Sequence, residues 1–284
     1  MTSLEEAAGL GAFAEWWEQQ REERALKQRK HEEHLSSPQY LGQLKRLDRL
    51  TEAAINLVYM SHVGISRMPN ATDTYLVFAG TDDALECIVA IRALVAQGVH
   101  NVARRECRYL LEQAVKFLYV DQQCPSLSVT REQRIEFLKK EVPRSSIQPI
   151  FDVAPLLPSE EVRRFQEEVK GRWSSLSGIV HPSKEQIDER AARARRGAFS
   201  GFETAKDLTT MNNQLASVYD CLGVMWLTAA GPSIAGDLIL ELDQEEWIFH
   251  KSKWLQKLSR QYDYKLERQT STPKGEKMIE DSEF

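Results

Sequence analysis

The residues best suited to chemistry lie between Arg172 and Ser183, where an arginine, three serines and the dipeptide His181-Pro182 follow one another. A histidine titrates at about pH 6.5, so it gives and takes protons near neutrality. An arginine stays charged and can hold a phosphate through two parallel hydrogen bonds. Together they suit metal-free cleavage of a phosphodiester: His181 as general acid/base, Arg172 as the phosphate clamp. With a ribose 2′-hydroxyl as nucleophile, that chemistry is confined to RNA. The serines Ser174, Ser175 and Ser177 lack the G-x-S-x-G elbow of a hydrolase nucleophile. The architectural alternative for His181 is a ring bonded to a backbone carbonyl, holding the loop before Ser183.

More charge is arrayed nearby. Arg104, Arg108, Glu112 and Lys116 recur at four-residue steps along the edge of an apolar helix face. The plain reading is snorkelling arginines with an Arg108–Glu112 pair; the other is a polar layer facing a cleft, with Ser177 and Glu112 in support. Arg190, Arg193, Arg195 and Arg196 share the polar face of a short helix. That face is either solvated or, through Arg190, Arg193 and Arg196, a phosphate contact that positions RNA without reading its sequence.

Other chemistries find no motif. There is no G-x-x-x-x-G-K-[ST] loop, no G-x-G-x-x-G and no H-E-x-x-H, so neither a nucleotide cofactor nor a metal is expected. His31 and His34 stand three apart on a charged stretch with no further ligand implied. Cys87, Cys107, Cys124 and Cys221 lack metal or redox spacing and read as small apolar residues in a reducing compartment. The net charge of -5 argues against a generally basic nucleic-acid coat. With no signal core, and with Asp220 inside the most apolar run, a cytoplasmic protein without a membrane span is expected.

The elements that must position these residues read as helices. Leu, Ala, Glu, Arg, Lys and Gln dominate, and Gly and Pro number only 14 and 10. Ser3 with Glu6 starts a helix to about His34, with Leu10, Phe13, Ala14 and Trp17 on one face and a second half that is charged all round. Ser37-Pro38 restarts the chain as N-cap and first helical residue, for a helix to about Ser61. Tyr75 to Phe78 reads as a helix entry, and Thr81 with Asp82 and Asp83 as the cap of a helix from about Ala84 to Gln97. Further helices are expected over 102–121, from the Thr130–Gln133 capping box to about Glu141, from Ser159 through Trp173 with Gly178 loosening the chain beyond it, from Ser183 to Gly197, and over 204–230. Asp243 with Glu246 is expected to cap a last helix carrying Trp247, Ile248, Trp254, Leu255 and Leu258. These expectations give an all-α helical bundle: an arm over 1–37, a core over 38–265 with a C-terminal accessory helix, and a disordered tail over 266–284.

An all-helical core with a long helix bearing Arg and Glu, then a helix ending in Arg172 with His181 nearby, resembles the HEPN superfamily of bacterial defence and toxin systems. The resemblance covers about residues 80–230. It implies a metal-independent RNase whose Arg-x(4–6)-His motif is completed across a homodimer. Here eight residues separate Arg172 from His181, and Trp173 stands where the family has a polar residue. Either the site is remodelled, with Arg104 or Arg108 supplying charge, or the chain is a non-catalytic relative. Relatives of that second kind act as sensors, scaffolds or partner-binding modules, here through the arm and the Trp247/Trp254 helix.

Overall fold

The computed structural model describes residues 2–144, 146–180, 184–195, 203–244 and 247–262, with side chains from residue 13 onward except at 179, 180, 185, 193, 243 and 244. Among these residues every regular element is helical. The chain runs through α1 (Thr2–Leu35), α2 (Pro38–Ile65), α3 (Ala71–Thr74), α4 (Leu76–Ala79), α5 (Thr81–Ala96), α6 (His100–Gln123) and α7 (Arg131–Glu141). A 3-10 turn over Gln148–Asp152 leads to α8 (Ser159–Val180), α9 (Lys184–Arg195), α10 (Ala205–Ala230), α11 (Pro232–Gln244) and α12 (Lys253–Ser259). The all-α bundle expected from composition is the fold.

α10 is its axis. From Val218 to Leu227 every residue is buried. Such a helix, apolar all round, has neighbours on all sides: α2, α6, α11 and α12 pack against it, with α5 bridging α2 and α6 and α8 covering α6. At Gly223 an added Cβ would lie 2.8 Å from side-chain atoms of both Leu57 and Leu255. The missing side chain is what lets α2 and α12 close on α10. The long apolar run is thus a core helix, and no helix among the described residues is long and apolar enough to cross a membrane.

Local signals set several boundaries as expected. The Ser37 side chain accepts from the Tyr40 N–H at 3.3 Å, with Pro38 behind it. Thr130 and Gln133 make both bonds of the capping box, at 2.9 and 3.3 Å. Thr204 and Asp207 form another. Other expectations fail. Thr81 does not cap α5: its hydroxyl donates to the Phe78 carbonyl at 2.6 Å, and the helix begins at Thr81 itself. Gly178 does not loosen the chain: α8 runs through it to Val180, and one glycine costs only about 1 kcal/mol in a helix this long. Asp243 lies within α11, and the last helix starts at Lys253. Its N-terminus is satisfied by Asp220 of α10, which accepts from the Trp254 and Leu255 N–H groups, each at 2.9 Å. Trp254, Leu255 and Leu258 sit in the main core, so this helix is integral to the bundle. Ser183, Gly197 and the tail after Tyr262 lie outside the described residues.

Candidate functional site

α6 positions the polar layer. Its Cys107, Leu111, Val115 and Leu118 are buried, and Arg104, Arg108, Glu112 and Lys116 follow the rim of that face. A four-residue step turns a helix by about 40°, so this row drifts slowly round α6, meeting α9 and α10 at Arg104 and α8 at Arg108 and Glu112. There α8 supplies Trp173 and Ser177, one turn apart.

The Arg108 Nε donates to the Ser177 hydroxyl at 2.8 Å, and that hydroxyl donates to the Trp173 carbonyl at 2.8 Å. The guanidinium lies over the Trp173 ring, 4.8 Å from its centroid, and within 3.3 Å of Glu112. Trp173 Nε1 donates to the same carboxylate at 3.0 Å. The other Glu112 oxygen holds Lys116 at 2.6 Å, and Lys116 also donates to the Arg144 carbonyl at 2.7 Å. One turn earlier Arg104, only 6% exposed, donates to Gln214 of α10 at 3.0 Å, to Asn101 at 3.0 Å and to Glu189 of α9 at 2.8 Å.

The Arg108–Glu112 pair expected from spacing is therefore present, within a seam that ties α6 to α8, α9 and α10. Each guanidinium already faces a carboxylate. An entering phosphate would have to compete with Glu189 for buried Arg104, or with Glu112 for half-buried Arg108. The seam is built to hold helices together.

Of the other expected residues, Arg172 and Arg190, whose side chains are described, do not join it. Arg172 is exposed on α8, paired with Glu168 at 3.2 Å, and Glu168 also engages Lys253 of α12. It sits about 100° round the helix from Trp173 and about 140° from Ser177. Arg190 is exposed on α9. Arg193 belongs to the same helix, with its side chain outside the described part; His181 and Arg196 lie outside the described residues altogether. His34 is engaged as an acceptor from the Ala205 N–H at 2.9 Å, and no metal-binding cluster is found among the described residues.

Substitution separates the two arginines. Arg104→Ala is expected to cost about 2–3 kcal/mol in urea unfolding, because it removes a buried side chain and three hydrogen bonds to half-buried acceptors. Arg172→Ala is expected to stay within about 0.5 kcal/mol, as an exposed i,i+4 pair contributes little. Equal losses would contradict this division.

Two features lie away from the seam. Asp83, Glu86, Cys87, Ala90, Glu106 and Tyr109 line an open cavity of about 360 Å³ between α5 and α6. Burial, with the carboxylates of Asp83, Glu106 and Glu86 beside it, pushes the Cys87 thiol up to about 11, so it is no thiolate nucleophile near neutrality. The spacing Asp83–Glu86–Cys87 puts three of these residues on one face of α5, but nothing in the sequence pairs them with α6.

The second feature is α1. Residues 13–30 are exposed, apart from half-buried Gln20. Phe13, Trp16 and Trp17 are 60%, 50% and 48% exposed, and their rings cluster with centroids 5.7–6.3 Å apart. The sequence showed Phe13 and Trp17 on one face; among the described residues that face meets no other helix. No family model, curated protein or solved structure matches the chain.

Proposed function

We propose that the protein is a non-catalytic helical scaffold acting through protein–protein contacts, with α1 as its docking element. The observation that carries this is the cluster of three large aromatic side chains held in solvent on a projecting helix. Burying one such side chain is worth about 1.5–3 kcal/mol, so leaving three exposed favours association. The commitment of Arg104 and Arg108 to carboxylates supports the same reading. A reducing, cytoplasmic setting suits four free cysteines, three of them buried.

The test is capture from extract of the source cells with the tagged full chain, beside the Phe13→Ala/Trp16→Ala/Trp17→Ala variant. Proteins held by the wild type are expected to fall at least tenfold with the variant, whose melting temperature is unchanged. An identical set in both would overturn the reading.

A second reading, a HEPN-like RNase or RNA-binding component of a defence or toxin system, draws on Arg172. Among the described residues its guanidinium pairs with Glu168 in an exposed pair, which a phosphate could displace. His181 would then be the general acid/base, with Arg190, Arg193 and Arg196 as backbone contacts, completed in a homodimer.

A further inference from the structure

We infer that the partner of α1 is α1 of a second copy, laid antiparallel, with the aromatic block of each arm against the basic block of the other. This rests on the reading of α1 as the docking element. Phe13, Trp17, Gln20, Arg24 and Lys27 follow a 4-3-4-3 spacing, which places them on one stripe within about 40° of its centre line. The stripe changes character along its length. Phe13, Trp16 and Trp17 share their stretch with the carboxylates Glu15 and Glu18. From Arg24 to Lys30 the chain carries Arg24, Lys27, Arg29 and Lys30 with no carboxylate between them.

Charge decides the orientation. A parallel pair would set Arg24 and Lys27 against their own copies along the seam, where like charges repel. An antiparallel pair centred near Glu22 sets Trp17 over Lys27 and Gln20 beside Arg24. It also brings the acidic aromatic block alongside the basic block twice by symmetry. A cation over an indole face contributes about 0.5–2 kcal/mol. Arg21 and Glu23 would approach their own copies on the flanks, but each is already paired within its helix, to Glu18 at 3.3 Å and to Lys27 at 3.9 Å. The contact is a single helix face, smaller than the roughly 800 Å² per partner of a standard interface, so a reversible dimer follows rather than a permanent one.

Sedimentation equilibrium of the full chain under reducing conditions tests this. The wild type is expected to show a concentration-dependent dimer, weakened at least tenfold by Phe13→Ala/Trp17→Ala and also by Lys27→Glu. A spin label on Ala14→Cys, in a Cys124→Ser background, reads the orientation. Antiparallel arms separate the two labels by about 24 Å along the axis, whereas parallel arms hold them level. A monomer at all concentrations, a dimer indifferent to these substitutions, or labels at the same height would each overturn the inference. If the arm variant still loses its captured proteins while the wild type is monomeric, only the second-copy assignment falls. If capture is also unchanged, the docking reading falls with it.

Discussion

Asp121→Ala is expected to cost about 3–5 kcal/mol of unfolding free energy, the largest loss of any single substitution considered. Asp121 of α6 accepts from the Leu76 and Val77 N–H groups at 2.9 and 3.0 Å, capping α4 from another helix. It also pairs at 3.2 Å with Arg134 of α7, which is fully buried, donates to the Ser126 carbonyl at 2.9 Å and lies 4.6 Å from the Tyr75 ring centroid. Removing the carboxylate leaves a buried guanidinium uncompensated and two N–H groups without an acceptor. Because the two side chains act as a unit, Asp121→Ala with Arg134→Met is expected to lose less than the sum of the single losses, by about 1–3 kcal/mol. Urea titration of the four proteins in the cycle checks this, and additive losses would contradict it.

The same residue carries a pH signature. Burial raises the Asp121 carboxyl from 3.8 to about 6, while the Val77 and Leu76 N–H groups and Arg134 pull the other way. The folded chain therefore takes up this proton at a higher pH than the unfolded chain. Its contribution to stability grows as pH falls through 6 and is complete below the unfolded value near 3.8. Relative to Asp121→Asn, the wild type is expected to gain stability as the pH falls from 7 to 4. A pH-independent difference would show that the carboxyl is not perturbed in this way.

Asp220→Ala is expected to cost about 2–4 kcal/mol and to free α12 from the bundle. The buried carboxylate holds the Ser252 hydroxyl at 2.5 Å as well as the Trp254 and Leu255 N–H groups, so one side chain organises the whole first turn of α12. Behind that turn Trp254 is fully buried, edge-on to Phe165 at 5.4 Å, and Leu255 fills the space left at Gly223. Hydrogen exchange should show the amides of residues 253–259 losing protection well before those of α10. Protection of α12 that matches wild type would mean that apolar packing alone holds it.

What the sequence disclosed and what it hid divide by distance along the chain. Ser37-Pro38 and Thr130–Gln133 were legible because cap and capped N–H groups lie within three residues of each other. The ends of α4 and α12 were not, because their caps are Asp121 and Asp220, 45 and 34 residues from a residue whose N–H they accept. Asp243 with Glu246 looked like the local signal for the last helix, and the remote carboxylate took that role. The polar seam was half legible. The Arg108–Glu112 pair is one helical turn, but Glu189 and Gln214 reach Arg104 across 85 and 110 residues. Knowing those partners is what changes the reading of Arg104 from a free cation to cement. The Phe13–Trp17 face of the arm was visible as periodicity, whereas its lack of a covering helix among the described residues is a property of the fold.

The scaffold reading and the nuclease reading part most directly over RNA. The measurement is incubation of the full-length chain with a labelled total-RNA pool in EDTA, beside His181→Ala and Arg172→Ala. The account predicts no cleavage by the folded wild type and no difference among the three proteins. Products ending in 2′,3′-cyclic phosphate, formed by the wild type and lost in His181→Ala, would contradict it and make the segment from Arg172 to Ser183 an active site.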